Sequence, residues 1–435
     1  MRFLLAMFLA VGCVSAAFAG ESTVKTLKVD RGLSPEGKKC IECHAEKQPG
    51  IVADWTMSRH GHVGVSCIDC HSVDSGSPMA AQNCPGVKGT EIYVTAMVTP
   101  KTCAKCHAQE VEQFSKSGHF RASWQYHSPE GFNYEAMKTL TQTQEGQGME
   151  EFKHTADMTG CMQCHGSQIV LGPDKRPTKE TWPNAGVGTS WPDGSTGNCV
   201  VCHTRHRFNI AEARKPAACA SCHLGPDHPD IEIYENSKHG HIYNAEGATW
   251  NFDSAPDTWE PGDFRAPTCA VCHMSGIGSL TTTHNVSERL KWNLWAKESK
   301  VRNSPDPLNM LTGNGEEGRK KMEMVCANCH SATHTANFFQ QGDSAVNLYN
   351  DGYWKPALAM FNELKEKNLL KKETNADEFQ KLFYHLWHHE GRRMRQGALM
   401  GGPDYAHWHG VFELQYDLAE MKTIYKKRIE SGKIG

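Results

Sequence analysis

The sequence predicts a mainly α-helical fold in which a loop-rich body of short helices is followed by a long C-terminal helical region. Three observations predict it. Eight C-x-x-C-H strings lie between residues 40 and 330, proline and glycine interrupt the stretches between them, and helical periodicity sets in after residue 351. Hydrophobic residues make up only 39% of the 435 residues, which is thin for a core of aliphatic side chains. The body therefore needs another apolar component.

The N-terminus has the pattern of an export signal. Arg2 precedes an apolar run over residues 3–11, and Ala17-Phe18-Ala19 forms an A-x-A cleavage site. We therefore expect residues 1–19 to be a signal peptide cleaved near Ala19, and the mature protein to be periplasmic. The alternatives are an uncleaved anchor, which the short run disfavours, and acylation at Cys13, whose preceding residues fit poorly.

Each C-x-x-C-H string is the attachment signal of a c-type haem, because two thiols add across the haem vinyl groups and the histidine ligates the iron. The sixteen motif cysteines are Cys40, Cys43, Cys67, Cys70, Cys103, Cys106, Cys161, Cys164, Cys199, Cys202, Cys219, Cys222, Cys269, Cys272, Cys326 and Cys329. The motif histidines are His44, His71, His107, His165, His203, His223, His273 and His330. Zinc sites use separated cysteine pairs without a histidine attached to each. We expect eight covalent haem c groups, whose porphyrins supply the apolar core.

The remaining counts narrow the class of protein. Of 18 cysteines, Cys13 and Cys84 alone lie outside the motifs, so the disulfide framework of many exported proteins is not expected. The motif spacing is irregular, which argues against a solenoid. A net charge of −3 gives no basic footprint for nucleic acid. We expect one octahaem-binding domain over 20–340 and a C-terminal helical region over 341–435.

Four helices are predicted in detail. One covers Pro100–Gly118 with Thr99 as its cap, a second covers 355–372, a third follows Asn375 and ends at the glycines and proline of 401–403, and a fourth covers 405–428. In the third helix His385, His388 and His389 are interpreted as a polar face. The fourth helix carries an apolar stripe of Val411, Leu414, Leu418, Met421 and Tyr425. This stripe packs either on the chain's own body or on another subunit.

Sixteen of the 24 histidines lie outside the motifs, twice the number that eight doubly ligated irons need. Histidine counting therefore does not show whether one iron is open. The best candidates for second axial ligands are His60, His119, His206, His239, His284 and His409. His127, His154 and His334 stay undecided between ligation and a structural role.

The Asp227–His228 pair follows the sixth motif by four residues. We judge this distance too short for His228 to fold back comfortably onto the same iron. A carboxylate beside an imidazole sets its tautomer and can support proton transfer. The alternative is an aspartate that caps a turn before His-Pro.

The strings TGCMQCHGS (159–167), CHLGPDHP (222–229), THNVSERLKWN (283–293) and GGPDYAHWHG (401–410) resemble the octahaem hydroxylamine oxidoreductase family. The later motifs also resemble pentahaem ammonium-forming nitrite reductases, but the C-x-x-C-K motif of those enzymes is absent. The resemblance implies a helical homotrimer. It also implies a catalytic fourth haem at Cys161, Cys164 and His165, with Asp227 and His228 as the distal pair. By the same resemblance His119, His284, His409 and His239 are distal ligands of the sixth, fifth, seventh and eighth haems.

The direction of reaction depends on a tyrosine. Oxidative members of that family carry a tyrosine from a neighbouring subunit linked to the catalytic haem, and here Tyr405, Tyr416 and Tyr425 are candidates, with Phe412 where a tyrosine is half expected. We expect reduction of nitrite or hydroxylamine to ammonium, with electrons from a periplasmic or membrane-bound cytochrome or quinol-oxidising module. The alternatives are oxidation of hydroxylamine or hydrazine, a non-catalytic electron carrier, and an enzyme acting on sulfur oxyanions.

Overall fold

Helices dominate the computed structural model, which describes residues 32–123, 160, 162–184, 186–303, 313–373 and 375–434. The predicted signal peptide, Cys161, His127 and His154 lie outside the described residues. Helices α1–α12 form the body: Pro35–Lys47, Pro49–Thr56, Arg59–His62, Cys67–His71, Pro100–Cys103, Ala108–Ser115, Met162–His165, Ile210–Arg214, Ala217–Ala220, Asp230–Asn236, Lys238–Glu246 and Cys269–His273. Short 3₁₀ turns add Pro85–Val87, Gly118–Arg121, Cys199–Val201 and Gly247–Thr249. Strands β1 (Ser72–Val73) and β2 (Tyr93–Val94) pair antiparallel.

The haem-attachment motifs lie on single helical turns. The backbone N–H groups of His107, His203, His223 and His330 each donate to the carbonyl of the first cysteine of their motif, at 2.8–3.1 Å. Because residues i, i+3 and i+4 share one face of such a turn, both thiols and the histidine point to the same side. Ser66 caps the second motif's turn, since its N–H donates to Asp69 Oδ2 at 2.7 Å.

The predicted helix over Pro100–Gly118 is two helices in the structure. Thr99 does cap the first, because its hydroxyl accepts from the N–H of Thr102. The chain then leaves the helical conformation at His107, whose φ and ψ are −113° and 47°. The third motif ends there, and the break allows α6 to start in a new direction. Periodicity alone did not reveal this break.

The C-terminal region is a set of longer helices. Helices α13–α19 are Gly315–Cys326, Ala332–Leu348, Lys355–Glu366, Glu378–His385, Gly391–Met400, Pro403–Ala406 and Glu413–Ser431. Three π-helical turns, Tyr349–Trp354, Leu386–Glu390 and His407–Phe412, join successive helices without a loop. Gly401, at φ 72°, ends α17 in the left-handed conformation, as the glycines and proline predict. The predicted boundary at residue 340 falls inside α14.

Aromatic and aliphatic side chains of this region form their own core. Its fully buried members include Tyr349, Phe379, Leu386, Leu414 and Met421. The stripe on α19 contributes to this core, so it packs on the chain's own C-terminal helices. None of the helices in the described part of the chain is long and apolar enough to span a membrane.

Buried arginines join the C-terminal helices to the body. Arg395 on α17 is 0% exposed, and its Nη1 donates to the carbonyl of Ala296 at 3.1 Å while its guanidinium lies 3.8 Å from the ring centroid of Tyr349. Nearby, Asp343 on α14 accepts from Arg319 Nη2 and Trp292 Nε1, both at 2.7 Å. The loop around residues 291–299 is therefore fixed against α14 and α17.

Candidate haem sites and a distal acid–histidine cluster

A large internal cavity runs through the body, with a volume of about 1920 Å³. Ordinary small-molecule pockets measure roughly 300–1,000 Å³. The lining cysteines come from at least seven of the eight motifs: Cys70, Cys103, Cys106, Cys164, Cys199, Cys202, Cys219, Cys222, Cys269, Cys272 and Cys326. The motifs thus share one interior space.

Cysteines of different motifs lie side by side in this space. Cys103 contacts Cys199, Cys164 contacts Cys222, and Cys219 contacts Cys269, each within hydrogen-bonding reach. The third motif therefore neighbours the fifth, and the sixth neighbours both the fourth and the seventh. The described cysteines form no disulfides.

Several motif histidines are anchored through Nδ1. His71 Nδ1 lies 2.8 Å from the carbonyl of Thr95, His165 Nδ1 2.9 Å from that of Ala122, and His223 Nδ1 2.7 Å from Asp230 Oδ2. An Nδ1–H that donates to an oxygen leaves Nε2 as the free lone pair. That nitrogen is the one an iron ion would take.

Five motif histidines face a second histidine at nearly constant separation. The ring centroids are 6.2 Å apart for His107 and His60, 6.1 Å for His71 and His206, 6.3 Å for His203 and His284, 5.9 Å for His223 and His119, and 6.0 Å for His330 and His239. An imidazole nitrogen lies about 1 Å from its ring centroid and a metal–imidazole bond is about 2 Å long, so two imidazoles on one metal ion have centroids roughly 6 Å apart. These pairs have the separation of two axial ligands.

A second cluster lies beside these rings and centres on Asp227. Asp227 Oδ1 is 2.6 Å from His228 Nδ1, and Asp227 Oδ2 accepts from Arg392 Nη1 at 3.0 Å. His388 Nε2 is 3.7 Å from the same oxygen. The carboxylate is therefore surrounded by three nitrogen-bearing side chains, two of them from the C-terminal helices.

Trp295 holds this cluster against the sixth motif. Its ring packs edge-on against His228 and His223, with centroids 5.5 and 6.4 Å apart. Its carbonyl accepts from Arg392 Nε at 3.1 Å and from Nη2 at 2.9 Å. Arg392 is 0% exposed, so its charge is compensated by Asp227 and by this carbonyl.

Electrostatics keep the carboxylate charged. Burial alone would raise the pKa of Asp227, but the contact with His228 and the charge of Arg392 hold that pKa well below its usual range. Burial, together with Arg392, lowers the pKa of His388 to about 2. Asp227 is therefore an anion and His388 a neutral imidazole at neutral pH.

The cluster influences the electrostatics of His165 in the fourth motif. His228 lines the same cavity as His165 and Cys164, and both His228 and Asp227 contribute to the electrostatic environment of His165. Burial lowers the pKa of His165, which favours a neutral imidazole able to ligate a metal. His165 and His228, which the resemblance assigns to one site, thus line the same cavity.

The multihaem cytochrome C-x-x-C-H family, described as containing the motif seven times, matches residues 185–375, which hold the last four motifs. Over these residues the chain is similar to multihaem c-type cytochromes. It is 28% identical over 327 residues to a probable nitrite reductase–hydroxylamine oxidoreductase fusion protein of Kuenenia stuttgartiensis, an alignment that covers 68% of this chain and 34% of the relative. The chain thus spans about a third of that relative's length.

Solved structures share the fold of this chain. A hypothetical multihaem protein superposes with a TM-score of 0.77 at 24% identity, covering 92% of this chain and 97% of the other. A reducing HAO-like protein complex of Kuenenia stuttgartiensis gives 0.59 at 20% identity, covering 91% and 86%. The mainly helical multihaem fold predicted from the sequence is confirmed. The number of eight haems stays a prediction.

The donor set of the chain fits haem c. Paired thiols, motif histidines anchored at Nδ1 and opposing imidazoles are what a covalently attached, doubly ligated porphyrin requires. The structure places five predicted second ligands, His60, His119, His206, His239 and His284, opposite motif histidines. Whether they bind iron stays a prediction.

The other predicted residues have different surroundings. His409 is half-exposed, with Nε2 3.3 Å from Asp404 Oδ2, so its assignment to the seventh haem stays a prediction. His334 stacks on His330 at 4.4 Å, too close for an iron between the two rings. His44 is half-buried and its Nδ1 lies 2.7 Å from Gln48 Oε1. His273 is also half-buried and hydrogen-bonds the backbone of Val286.

Two sequence interpretations need correction. His388 is buried against Asp227 and does not belong to a polar face. The His228 ring is 6.4 Å from that of His223, so the chain between them does turn back sharply, and distance alone does not separate His228 from the sixth motif. Arg392 and Trp295 were missed, since an arginine in a basic helix and a loop tryptophan carry no local signal for a distant site, which for Arg392 lies 165 residues away.

Proposed function

We propose that this cytochrome is an oxidoreductase acting on small nitrogen compounds, which reduces nitrite or hydroxylamine to ammonium at the fourth motif. The observation that carries the proposal is the Asp227 cluster, in which a partly buried carboxylate lies 2.6 Å from Nδ1 of His228, a residue that lines the same cavity as His165. A protein that only carried electrons would have no need of a charged acid–base cluster beside its haem sites. The name of the Kuenenia relative supports the same substrate class.

The roles of the side chains follow from their charges. Asp227 stays ionised, so it holds the proton of His228 on Nδ1 and leaves Nε2 free for substrate. When His228 takes up a second proton, the adjacent carboxylate stabilises the imidazolium. His228 is therefore the proton carrier, and Asp227 is the group that orients it.

Arg392 and Trp295 complete the site. Arg392 fixes the second oxygen of Asp227, and Trp295 covers one side of the His228 ring. A haem held by Cys161, Cys164 and His165 would supply electrons, which would reach it through haems at the neighbouring motifs. Reduction of hydroxylamine to ammonium and water consumes an electron pair and protons together, so a proton carrier beside an electron source fits this reaction.

We further propose a periplasmic location, a homotrimeric assembly and a cytochrome or quinol-oxidising partner. Export and covalent haem attachment are consistent with the N-terminal pattern and the motifs. Of the three tyrosines considered for a haem cross-link, Tyr425 is engaged by Glu363 at 2.5 Å, whereas Tyr416 is 62% exposed. A haem peptide joined to a Tyr416 peptide in a digest would favour hydroxylamine or hydrazine oxidation over reduction.

The test is turnover by the purified holoprotein. Dithionite-reduced cytochrome is mixed anaerobically with hydroxylamine or nitrite, and haem reoxidation and ammonium are measured together. Ammonium formation coupled to haem oxidation supports the proposal. No reaction with either substrate supports the electron-carrier alternative, which the five histidine pairs favour.

A further inference from the structure

A group of metal-ligating side chains lies apart from the haem motifs, on the C-terminal helices. His385, His389 and Glu390 place two imidazole nitrogens and a carboxylate oxygen within 4.8 Å of one another. None of the three belongs to a haem-attachment motif, and none contacts Asp227 directly in the described structure. The group shares no side chain with the Asp227 cluster, although the ring of His389 lies 5.2 Å from that of His388.

The π-helical turn Leu386–Glu390 explains why these three residues meet. In an α-helix, residues i and i+4 share a face, but residue i+5 points away. A π-helical turn has more residues per turn, so i+5 returns to the side of i. His389 and Glu390 therefore both lie next to His385, while the intervening His388 points to the other side, towards Asp227.

The carboxylate of Glu390 supports a ligand at this position. Glu390 is 8% exposed, and its Oε2 atom is buried without a hydrogen-bond partner. Its other oxygen, Oε1, lies 3.8 Å from Arg393 Nη1, a weak contact. A buried carboxylate oxygen without a donor is costly, and a cation would satisfy it.

We propose that His385, His389 and Glu390 form a binding site for a divalent transition-metal ion of the Zn²⁺ class. Two imidazoles and one carboxylate are the protein donor set of zinc sites that keep an open position, and they suit Ca²⁺ and Mg²⁺ poorly. Ligand atoms around a tetrahedral zinc ion with bonds of about 2.0–2.1 Å are roughly 3.3 Å apart. Closing from 4.8 Å requires a rotamer change of His385, whose side chain is exposed and free to turn.

Zinc binding to the intact holocytochrome tests the proposal. Chelator-treated protein is dialysed against micromolar Zn²⁺, and zinc per chain is measured by plasma mass spectrometry. We expect the wild type to retain one zinc more than His385→Ala and Glu390→Gln, and its isothermal-titration affinity to exceed theirs at least tenfold. An excess of Ca²⁺ should not displace the ion.

A matched control removes a histidine elsewhere. His241→Ala changes an exposed histidine on α11 and should retain zinc as the wild type does. Circular dichroism and the haem spectrum confirm that each variant is folded. Equal zinc retention by the wild type and both cluster variants would overturn the proposal.

Discussion

Replacing Arg392 by leucine should destabilise the protein strongly, because the change leaves the partly buried Asp227 carboxylate without its guanidinium. Arg392 is fully buried and makes three hydrogen bonds, one to Asp227 and two to the Trp295 carbonyl. Removing one partner of a buried ion pair costs about 3–5 kcal/mol. We expect a loss of this size in the free energy of unfolding at pH 7, measured by urea denaturation with far-ultraviolet circular dichroism.

The pH dependence identifies the Asp227 charge as the cause. The folded-state pKa of Asp227 is depressed, so its stabilising contribution is complete above the unfolded-state pKa of about 3.9 and is lost as the pH falls through the folded-state pKa. The difference between wild type and Arg392→Leu should therefore be largest near neutral pH and shrink on acidification below about pH 4.

Two further variants make the test decisive. Arg392→Lys keeps the charge but loses the forked geometry, so its loss should be intermediate. Arg393→Leu changes the adjacent, partly exposed arginine, which donates to the Pro226 carbonyl at 2.7 Å and lies 3.8 Å from Glu390 Oε1. This change should cost about 1 kcal/mol. A loss in unfolding free energy below about 1 kcal/mol for Arg392→Leu, or one equal to that of Arg393→Leu, would show that Arg392 does not compensate the Asp227 charge.

Three other predictions follow from the same contacts. Asp227→Asn should lower hydroxylamine turnover by about 10²–10⁴-fold with unchanged haem content, since His228 loses the anion that orients it, and unaltered turnover would contradict this role. Asp230→Asn removes the carboxylate bonded to His223 Nδ1, which makes the His223 imidazole a weaker electron donor to its iron. Spectroelectrochemistry should therefore show one haem potential shifted to a more positive value, and unchanged potentials would contradict this prediction. Leu414→Ala should lower the free energy of unfolding by about 2–5 kcal/mol because Leu414 is fully buried. Tyr416→Ala, at an exposed position, should change it by no more than about 0.5 kcal/mol, and equal effects of the two changes would exclude the core described for α19.

The fold class and many haem-site residues could be predicted because their signals are local. A C-x-x-C-H string spans one helical turn and contains all its ligating and attaching groups within five residues. It is therefore recognised as a haem site without knowledge of the fold or of contacts with other segments. His60, His119 and His239 were found from short contexts in which a serine, one spacer residue and the histidine precede a glycine or phenylalanine. The serine caps the turn that carries the histidine, as Ser58 and Ser237 do.

The surroundings of Asp227 could not be predicted because they depend on packing between distant segments. His388 and Arg392 lie more than 160 residues from Asp227, and their burial follows from the docking of α17 against the loop of Trp295. The π-helical turns were also missed, since one extra residue in a helix leaves the apolar periodicity nearly unchanged over a short window. Such a turn is what separates His388 from its neighbours His385 and His389.

If the proposed function holds, one iron, at the fourth motif, is open to substrate while others are held between two histidines. Electron paramagnetic resonance of the purified, fully oxidised holoprotein distinguishes the two kinds of iron. We expect one high-spin ferric signal that hydroxylamine or nitrite perturbs, alongside low-spin signals from the histidine pairs. A spectrum of low-spin irons alone, unchanged by either substrate, would contradict it.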